Sequence, residues 1–149
     1  MQLSFPSFLI CYLLTNLVIN APVYASSERK CLESLVSINK QLKDRSDVVL
    51  RTELGDMSNF RDDYPKSRPI SYSFILKGGS TEAIMKSSKF QKNIAEKIIL
   101  HCSSISIVHF NASGSDWVNT FGLIDSRNVE AFRCLSPGEK VRWGEVICL

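Results

Sequence analysis

The chain has 149 residues, of which 44 % are hydrophobic and 22 % are charged, and its formal net charge is +3. A chain of this length can build one domain around a single hydrophobic core. The mild charge argues against a strongly basic surface of the kind that binds nucleic acid.

The first 25 residues predict a secretory signal peptide. They carry no charged side chain, they contain an apolar stretch between Phe8 and Ile19, and they end in Val23-Tyr24-Ala25. The apolar stretch is shorter than the roughly 20 residues that a membrane-spanning helix needs. We therefore expect cleavage after Ala25 and a single secreted or periplasmic domain, residues 26–149, without a stable membrane anchor.

The predicted cleavage removes Cys11 and leaves four cysteines, an even number that predicts two disulfide bonds in an exported chain. The candidates are Cys31, Cys102, Cys134 and Cys148. A regular hairpin over residues 136–140 would place Cys148 about 20 Å beyond the partner of Cys134, whereas a disulfide needs Cα atoms within about 7 Å. A bend at Gly144 or an irregular loop would permit that pairing, so the connectivity stays open.

The first predicted elements after the signal peptide are a helix and two strands. Apolar side chains at three- and four-residue spacing predict an amphipathic helix. The recurring residues are Leu32, Leu35, Val36, Asn39 and Leu42. Residues 48–54 predict a short strand, turn formers over 55–69 predict a loop, and the alternation over 70–76 predicts a strand that ends at Gly78-Gly79.

A second helix and four β-rich segments are predicted in the remaining chain. The spacing of Ser88 and Gln91 is that of a capping box at the start of a helix, which should end near Cys102. Short turn sequences separate the later segments and favour an antiparallel meander. These segments are residues 105–110, 117–124, 129–135 and 141–147. We expect an α+β fold with two helices packed on one face of a four- or five-stranded, mainly antiparallel sheet, whose other face is polar or binds something.

The sequence contains no catalytic or metal-binding motif. His101 and His109 have no further ligands at zinc-binding spacing, and we place them in the last turn of the second helix and in a strand. The serines of Ser113-Gly114-Ser115 precede a strand, whereas a nucleophile elbow leads into a helix. We expect no catalytic residue, no metal and no cofactor.

Asp116, Trp117 and Trp143 are the candidate binding surface, because an exposed indole can stack on a sugar or anchor a protein partner. Packing in the core is the alternative role of the tryptophans. Asn111-Ala112-Ser113 fits the N-glycosylation sequon, which matters only for a eukaryotic protein.

The C-terminal two-thirds of the chain resembles small exported cyanobacterial proteins of unknown function. The resemblance is carried by Ile98-Ile99-Leu100-His101-Cys102, Val108-His109-Phe110, Asp116-Trp117, Phe121-Gly122-Leu123, Phe132-Arg133-Cys134 and Trp143-Gly144-Glu145-Val146-Ile147-Cys148, with Tyr64-Pro65 and Arg68-Pro69 upstream. It implies a periplasmic or secreted bacterial protein in which Trp143-Gly144 belongs to a shared structural closure, and it assigns no catalytic residue.

These observations favour a noncatalytic binding or interaction domain over an enzyme. Its contact surface would be a sheet face or the loop over residues 111–117, and its partner an unknown protein or saccharide. One alternative is a small hydrolase without a sequence motif, in which His109, Asp116 and Ser113 or Ser115 converge in space. Another is an inhibitor of a secreted or cell-wall enzyme that presents the same loop.

Overall fold

The computed structural model describes residues 23–44, 48–57 and 63–148. Residues 1–22 of the predicted signal peptide lie outside the described residues, and the predicted cleavage site after Ala25 falls in the first turn of the first helix. Among the described helices, none is both long enough and apolar enough to cross a membrane.

The described residues form an α+β fold, as predicted, with three helices, a five-stranded sheet and a separate pair of short strands. The helices are α1 (Val23–Lys43), α2 (Thr81–Lys86) and α3 (Ser88–His101). The strands of the main sheet are β1 (Val49–Gly55), β2 (Ile70–Lys77), β3 (Ile105–Ala112), β4 (Val118–Leu123) and β5 (Val129–Ala131). The short pair is β6 (Arg133–Leu135) and β7 (Glu145–Ile147). The short helix α2 was not predicted.

The five strands of the main sheet lie side by side in chain order. β1 and β2 are antiparallel, β2 and β3 are parallel, and β3, β4 and β5 are antiparallel. The parallel step requires a crossover, which α2 and α3 provide. The predicted meander is therefore confirmed from β3 to β5 and is wrong beyond it, because β6 and β7 pair in parallel.

One hydrophobic core unites the helices with alternate side chains of the strands. Phe74 of β2 and Phe110 of β3 stack with ring centroids 5.1 Å apart, and Phe121 of β4 meets Phe110 edge-on. Ile94 and Ile98 of α3 belong to the same buried cluster. We call the sheet face that carries these phenylalanines the core face, and the opposite one the second face.

The buried stripe of α1 differs from the predicted one. Ile38 and Leu42 are buried, and Cys31 and Leu35 pack against the same core. Leu32 and Val36, which we expected on the apolar face, are 62 % and 60 % exposed. Both stripes have helical spacing, and the disulfide from Cys31 to the end of α3 selects the one that includes Cys31.

The predicted capping box at Ser88 is wrong. The helix α3 begins at Ser88, its N-cap is Ser87, and that cap makes no side-chain hydrogen bond. Gln91 is instead completely buried, where its Oε1 accepts a hydrogen bond of 2.9 Å from Asn119 Nδ2 of β4. A buried amide needs partners, and the sheet provides one that the helix terminus does not.

Arg68 joins the end of α3 to the start of β3. Its guanidinium Nη1 donates hydrogen bonds to the carbonyl oxygens of Ile99, Cys102 and Ile105 at 2.6, 3.3 and 3.2 Å. The carbonyls at the end of a helix have no partners within the helix, so this cation stabilises the turn that directs the chain into the sheet. Desolvation by burial lowers the pKa of Arg68.

Candidate functional site

Two disulfide bonds form, as predicted, and the structure assigns their pairing. Cys31 joins Cys102, which connects α1 to the residue after α3, and Cys134 joins Cys148 with Cα atoms 5.3 Å apart. The second bond is possible because no regular hairpin forms over residues 136–140. The chain instead turns through Gly144, whose φ is +89°, and Cys134 then lies beside Val146 in a parallel ladder.

The segment from Phe132 to Cys148, here called the C-terminal segment, is held against the second face by a small core. A Cβ on Gly122 of β4 would lie 2.2 Å from Phe132 Cε1, so the glycine makes room for this ring. Trp143 meets Phe132 edge-on with ring centroids 5.0 Å apart, and its Nε1 donates a hydrogen bond of 2.7 Å to the carbonyl oxygen of Leu123. The indole of Trp143 is thus used in packing.

A row of polar side chains crosses the second face beside this small core. In the pairing of neighbouring strands, Glu53 of β1 faces Ser73 of β2, and Ser73 faces His109 of β3. His109 in turn faces Thr120 of β4. Directly opposed residues of neighbouring strands share a face and have Cβ atoms about 4.5–5.5 Å apart. The sheet therefore assembles an ordered polar floor from four strands.

A cleft of about 650 Å³ opens between this floor and the C-terminal segment. Its lining residues are Gly55, Asp56, Ser71, Ser73 and His109 from the sheet side and Val141, Glu145, Val146 and Ile147 from the C-terminal segment. Hydroxyl and imidazole groups thus face an aliphatic wall across a space large enough for a small ligand.

His109 is an uncharged hydrogen-bonding group at neutral pH. Desolvation by burial lowers its pKa from 6.5 to about 4. Its Nδ1 lies 2.9 Å from Thr120 Oγ1. A neutral imidazole has one donor and one acceptor nitrogen, so Nε2 takes whichever of these two roles Nδ1 does not.

Two carboxyl groups, those of Glu145 and Asp56, line the cleft. Glu145 forms an ion pair with Arg133, and this hydrogen bond, together with a hydrogen bond from the backbone N–H of Arg142, holds the pKa of Glu145 below its ordinary value. The charge of Glu145 is thus balanced by Arg133.

The predicted binding residues Asp116 and Trp117 lie outside this cleft, in the exposed loop between β3 and β4. Trp117 is 38 % exposed and lines a smaller cavity of about 280 Å³ beside the Cys134–Cys148 bond. The Ser115 hydroxyl donates to the carbonyl oxygen of Ala112 and accepts from the backbone N–H of Trp117. The loop is thus braced by its own hydrogen bonds.

The two histidines lie where the sequence placed them, in the last turn of α3 and in β3. His101 Nδ1 forms a hydrogen bond with the Ser34 hydroxyl, which ties α3 to α1. Asn111 of the sequon is part of β3, and its Nδ2 donates to the carbonyl oxygen of Phe74 at 3.3 Å. A glycan would replace one of the two hydrogens on this nitrogen, which leaves a single N–H donor.

Sequence reasoning missed Ser71 and Ser73 as site residues. The alternation of Ile70–Leu76 places both serines opposite the apolar side chains, which was the available signal. Their meeting with His109 required the parallel register of β2 and β3, and this register has no local signature. Within residues 23–44, 48–57 and 63–148, no group of three or more His, Cys, Asp or Glu side chains could hold a metal ion.

The chain was compared with known proteins at the levels of family, sequence and structure. No family model, curated protein or solved structure matches it.

Proposed function

We propose that this protein is a noncatalytic binding domain of the periplasm or the extracellular space, and that its site is the cleft on the second face. The observation that carries the proposal is the polar lining formed by Ser71, Ser73 and His109 opposite the aliphatic wall of Val146 and Ile147. Two disulfide bonds support an oxidising compartment. The resemblance to exported cyanobacterial proteins supports the same location.

The chemistry of the cleft favours a small uncharged ligand with hydroxyl groups and an apolar part. Hydroxyl and neutral imidazole groups both donate and accept hydrogen bonds, which suits sugar hydroxyls and amides. The aliphatic wall suits a methyl group. A saccharide that carries an N-acetyl group combines these features.

The test is a titration of the isotope-labelled protein with the disaccharide of N-acetylglucosamine, followed by backbone amide chemical shifts. We expect saturable shifts at Ser73 and His109 of the floor and at Val146 of the wall. Ser73→Val removes the hydroxyl and should weaken binding by roughly tenfold, the value of one lost hydrogen bond in a binding site.

Thr52→Val is the matched control, because Thr52 is a strand hydroxyl on the core face of the neighbouring strand and faces Phe74 in the register. It should leave the affinity unchanged. Saturable shifts confined to Trp117 and its loop would instead identify that loop as the contact surface. The absence of saturable shifts would reject saccharide binding in the cleft.

Hydrolysis is the second candidate, and one observation favours it. Ser73 is the cross-strand neighbour of His109 within the cleft, and a serine beside a neutral imidazole is the core of a nucleophilic site. Binding is preferred because His109 Nδ1 forms its hydrogen bond with Thr120. The predicted hydrolytic set of His109, Asp116 and Ser113 or Ser115 is not brought together by the hydrogen bonds described for these residues. Release of p-nitrophenol from p-nitrophenyl acetate, abolished by Ser73→Ala and by His109→Gln, would favour the enzyme.

A further inference from the structure

Among the described strands, β1 is an outer strand of the sheet, with one edge that pairs with no other strand. It has seven residues, Val49–Gly55, and it pairs only with β2 among the described strands. Residues 51–56 are all exposed. In an antiparallel pair, alternate N–H and C=O groups of the outer strand point away from the partner, so this edge offers backbone hydrogen bonds to an added strand.

The sequence of β1 is complementary to itself when it is paired antiparallel about Thr52. In this register, Arg51 of one copy faces Glu53 of the other, and Glu53 faces Arg51. Within one chain, Arg51 Nη2 and Glu53 Oε1 already lie 2.8 Å apart on the second face. A two-fold axis through Thr52 would therefore bring two cations and two anions together in alternation, an arrangement that stabilises cross-strand pairing.

The same register pairs apolar residues on the core face. Leu54, which is 67 % exposed, would face Leu50 of the second copy. Exposed leucine on a free strand edge is unfavourable in water, and burial of one such side chain is a substantial gain.

The helix α1 also carries an exposed leucine, Leu32. Ser34 marks the flank of α1 that meets α3, and helical periodicity places Leu32 and Asn39 on the opposite flank. Asn39 reaches the hydroxyl of Tyr72, and Tyr72 is the register partner of Leu54. The exposed Leu32 side chain thus shares the flank of α1 that carries Asn39.

We propose that the β1 edge is an interaction surface for a second copy of this chain, paired antiparallel about Thr52 to form a symmetric dimer with a continuous sheet. The charge pairing of Arg51 with Glu53 and the exposed Leu54 select this partner over an unrelated strand. The dimer does not depend on the ligand proposed for the cleft, and either can fail without the other.

The test measures the dimer dissociation constant by sedimentation of the protein purified after expression from the full sequence. Glu53→Arg places Arg51 opposite a second arginine in both symmetry-related pairs. Each cross-strand charge pair changes an equilibrium by a factor of about two to five, so the two pairs together should raise the dissociation constant by about four- to twenty-five-fold. The double variant Arg51→Glu with Glu53→Arg exchanges the charges and should restore the affinity.

Crosslinking tests the register itself. Thr52→Cys places the two thiols on the symmetry axis, where Cα atoms of facing residues are about 4.5–5.5 Å apart, and mild oxidation should yield a covalent dimer. Leu54→Cys is the matched control, because its two copies would be displaced by four residues, or about 14 Å, which is too far for a disulfide.

Three results would overturn the proposal. A wild-type protein that sediments as a monomer at all concentrations would mean that Arg51 and Glu53 protect the edge from pairing. A dimer that tolerates Glu53→Arg would use another surface. Equal crosslinking at positions 52 and 54 would show random collision.

Discussion

Removing the Cys31–Cys102 bond should destabilise the protein more than removing Cys134–Cys148. The first bond spans 71 residues and the second spans 14. Loop-closure entropy in the unfolded chain then corresponds to about 4 kcal/mol for the first bond and about 3 kcal/mol for the second. Cys102 is also 1 % exposed, so its replacement by alanine removes buried contacts as well and widens the difference.

The two double variants Cys31→Ala/Cys102→Ala and Cys134→Ala/Cys148→Ala provide the comparison. Their free energies of unfolding follow from guanidinium chloride denaturation monitored by tryptophan fluorescence. A loss of about 4 kcal/mol is a large share of the roughly 5–15 kcal/mol of an ordinary domain, and it should lower the melting temperature by roughly 15 °C.

Hydrogen exchange separates a global effect from a local one. The variant without Cys134–Cys148 should lose amide protection first in β7, because that bond holds the end of the C-terminal segment. The variant without Cys31–Cys102 should lose protection throughout the sheet. Equal destabilisation by the two variants, or a larger loss from the short loop, would refute the reasoning from loop length.

Three further substitutions test the packing and the electrostatics. Arg68→Ala should lower the free energy of unfolding by about 2–3 kcal/mol, because three carbonyl oxygens lose a charged donor; chemical denaturation measures this. Gly122→Ala should cost about 1–3 kcal/mol, since the new Cβ overlaps the Phe132 ring; near-ultraviolet circular dichroism should report the displaced Trp143. Between pH 6.5 and about 4, unfolded His109 binds a proton that the folded protein excludes, so the free energy of unfolding should decrease by about 3 kcal/mol as the pH is lowered through this range, and the slope should decrease in His109→Gln.

Matched variants define what would contradict these expectations. Arg68→Lys keeps the charge without the planar fork and should lose less than Arg68→Ala; an equal loss would mean that the charge contributes nothing. Gly114→Ala has open space around its Cβ but a φ of +81°, so it should cost stability through backbone strain while leaving the Trp143 signal unchanged. An unaltered pH slope in His109→Gln would assign the acid sensitivity to other groups.

The sequence by itself determined the elements whose signal is local. Periodicity predicted α1, α3 and most strands, because a side chain's place on a helix or strand follows from its spacing along the chain. The even number of cysteines predicted two disulfide bonds. The β-rich pattern around His109 predicted its position in a strand. These properties depend on neighbours within a few residues or on composition alone.

Only the tertiary structure decided how the elements meet. Leu32 and Leu35 are equally apolar, and contact with α3 through Cys31 determined which of them packs against the core. Gln91 has the spacing of a residue in a helix capping box, but it is buried in the core, where it accepts a hydrogen bond from Asn119 of a strand distant in the sequence. The parallel register of β2 with β3 joined Ser73 to His109, and the bend at Gly144 brought Cys148 to Cys134. Each outcome depends on contacts between residues far apart in the chain, whose free energies local patterns do not contain.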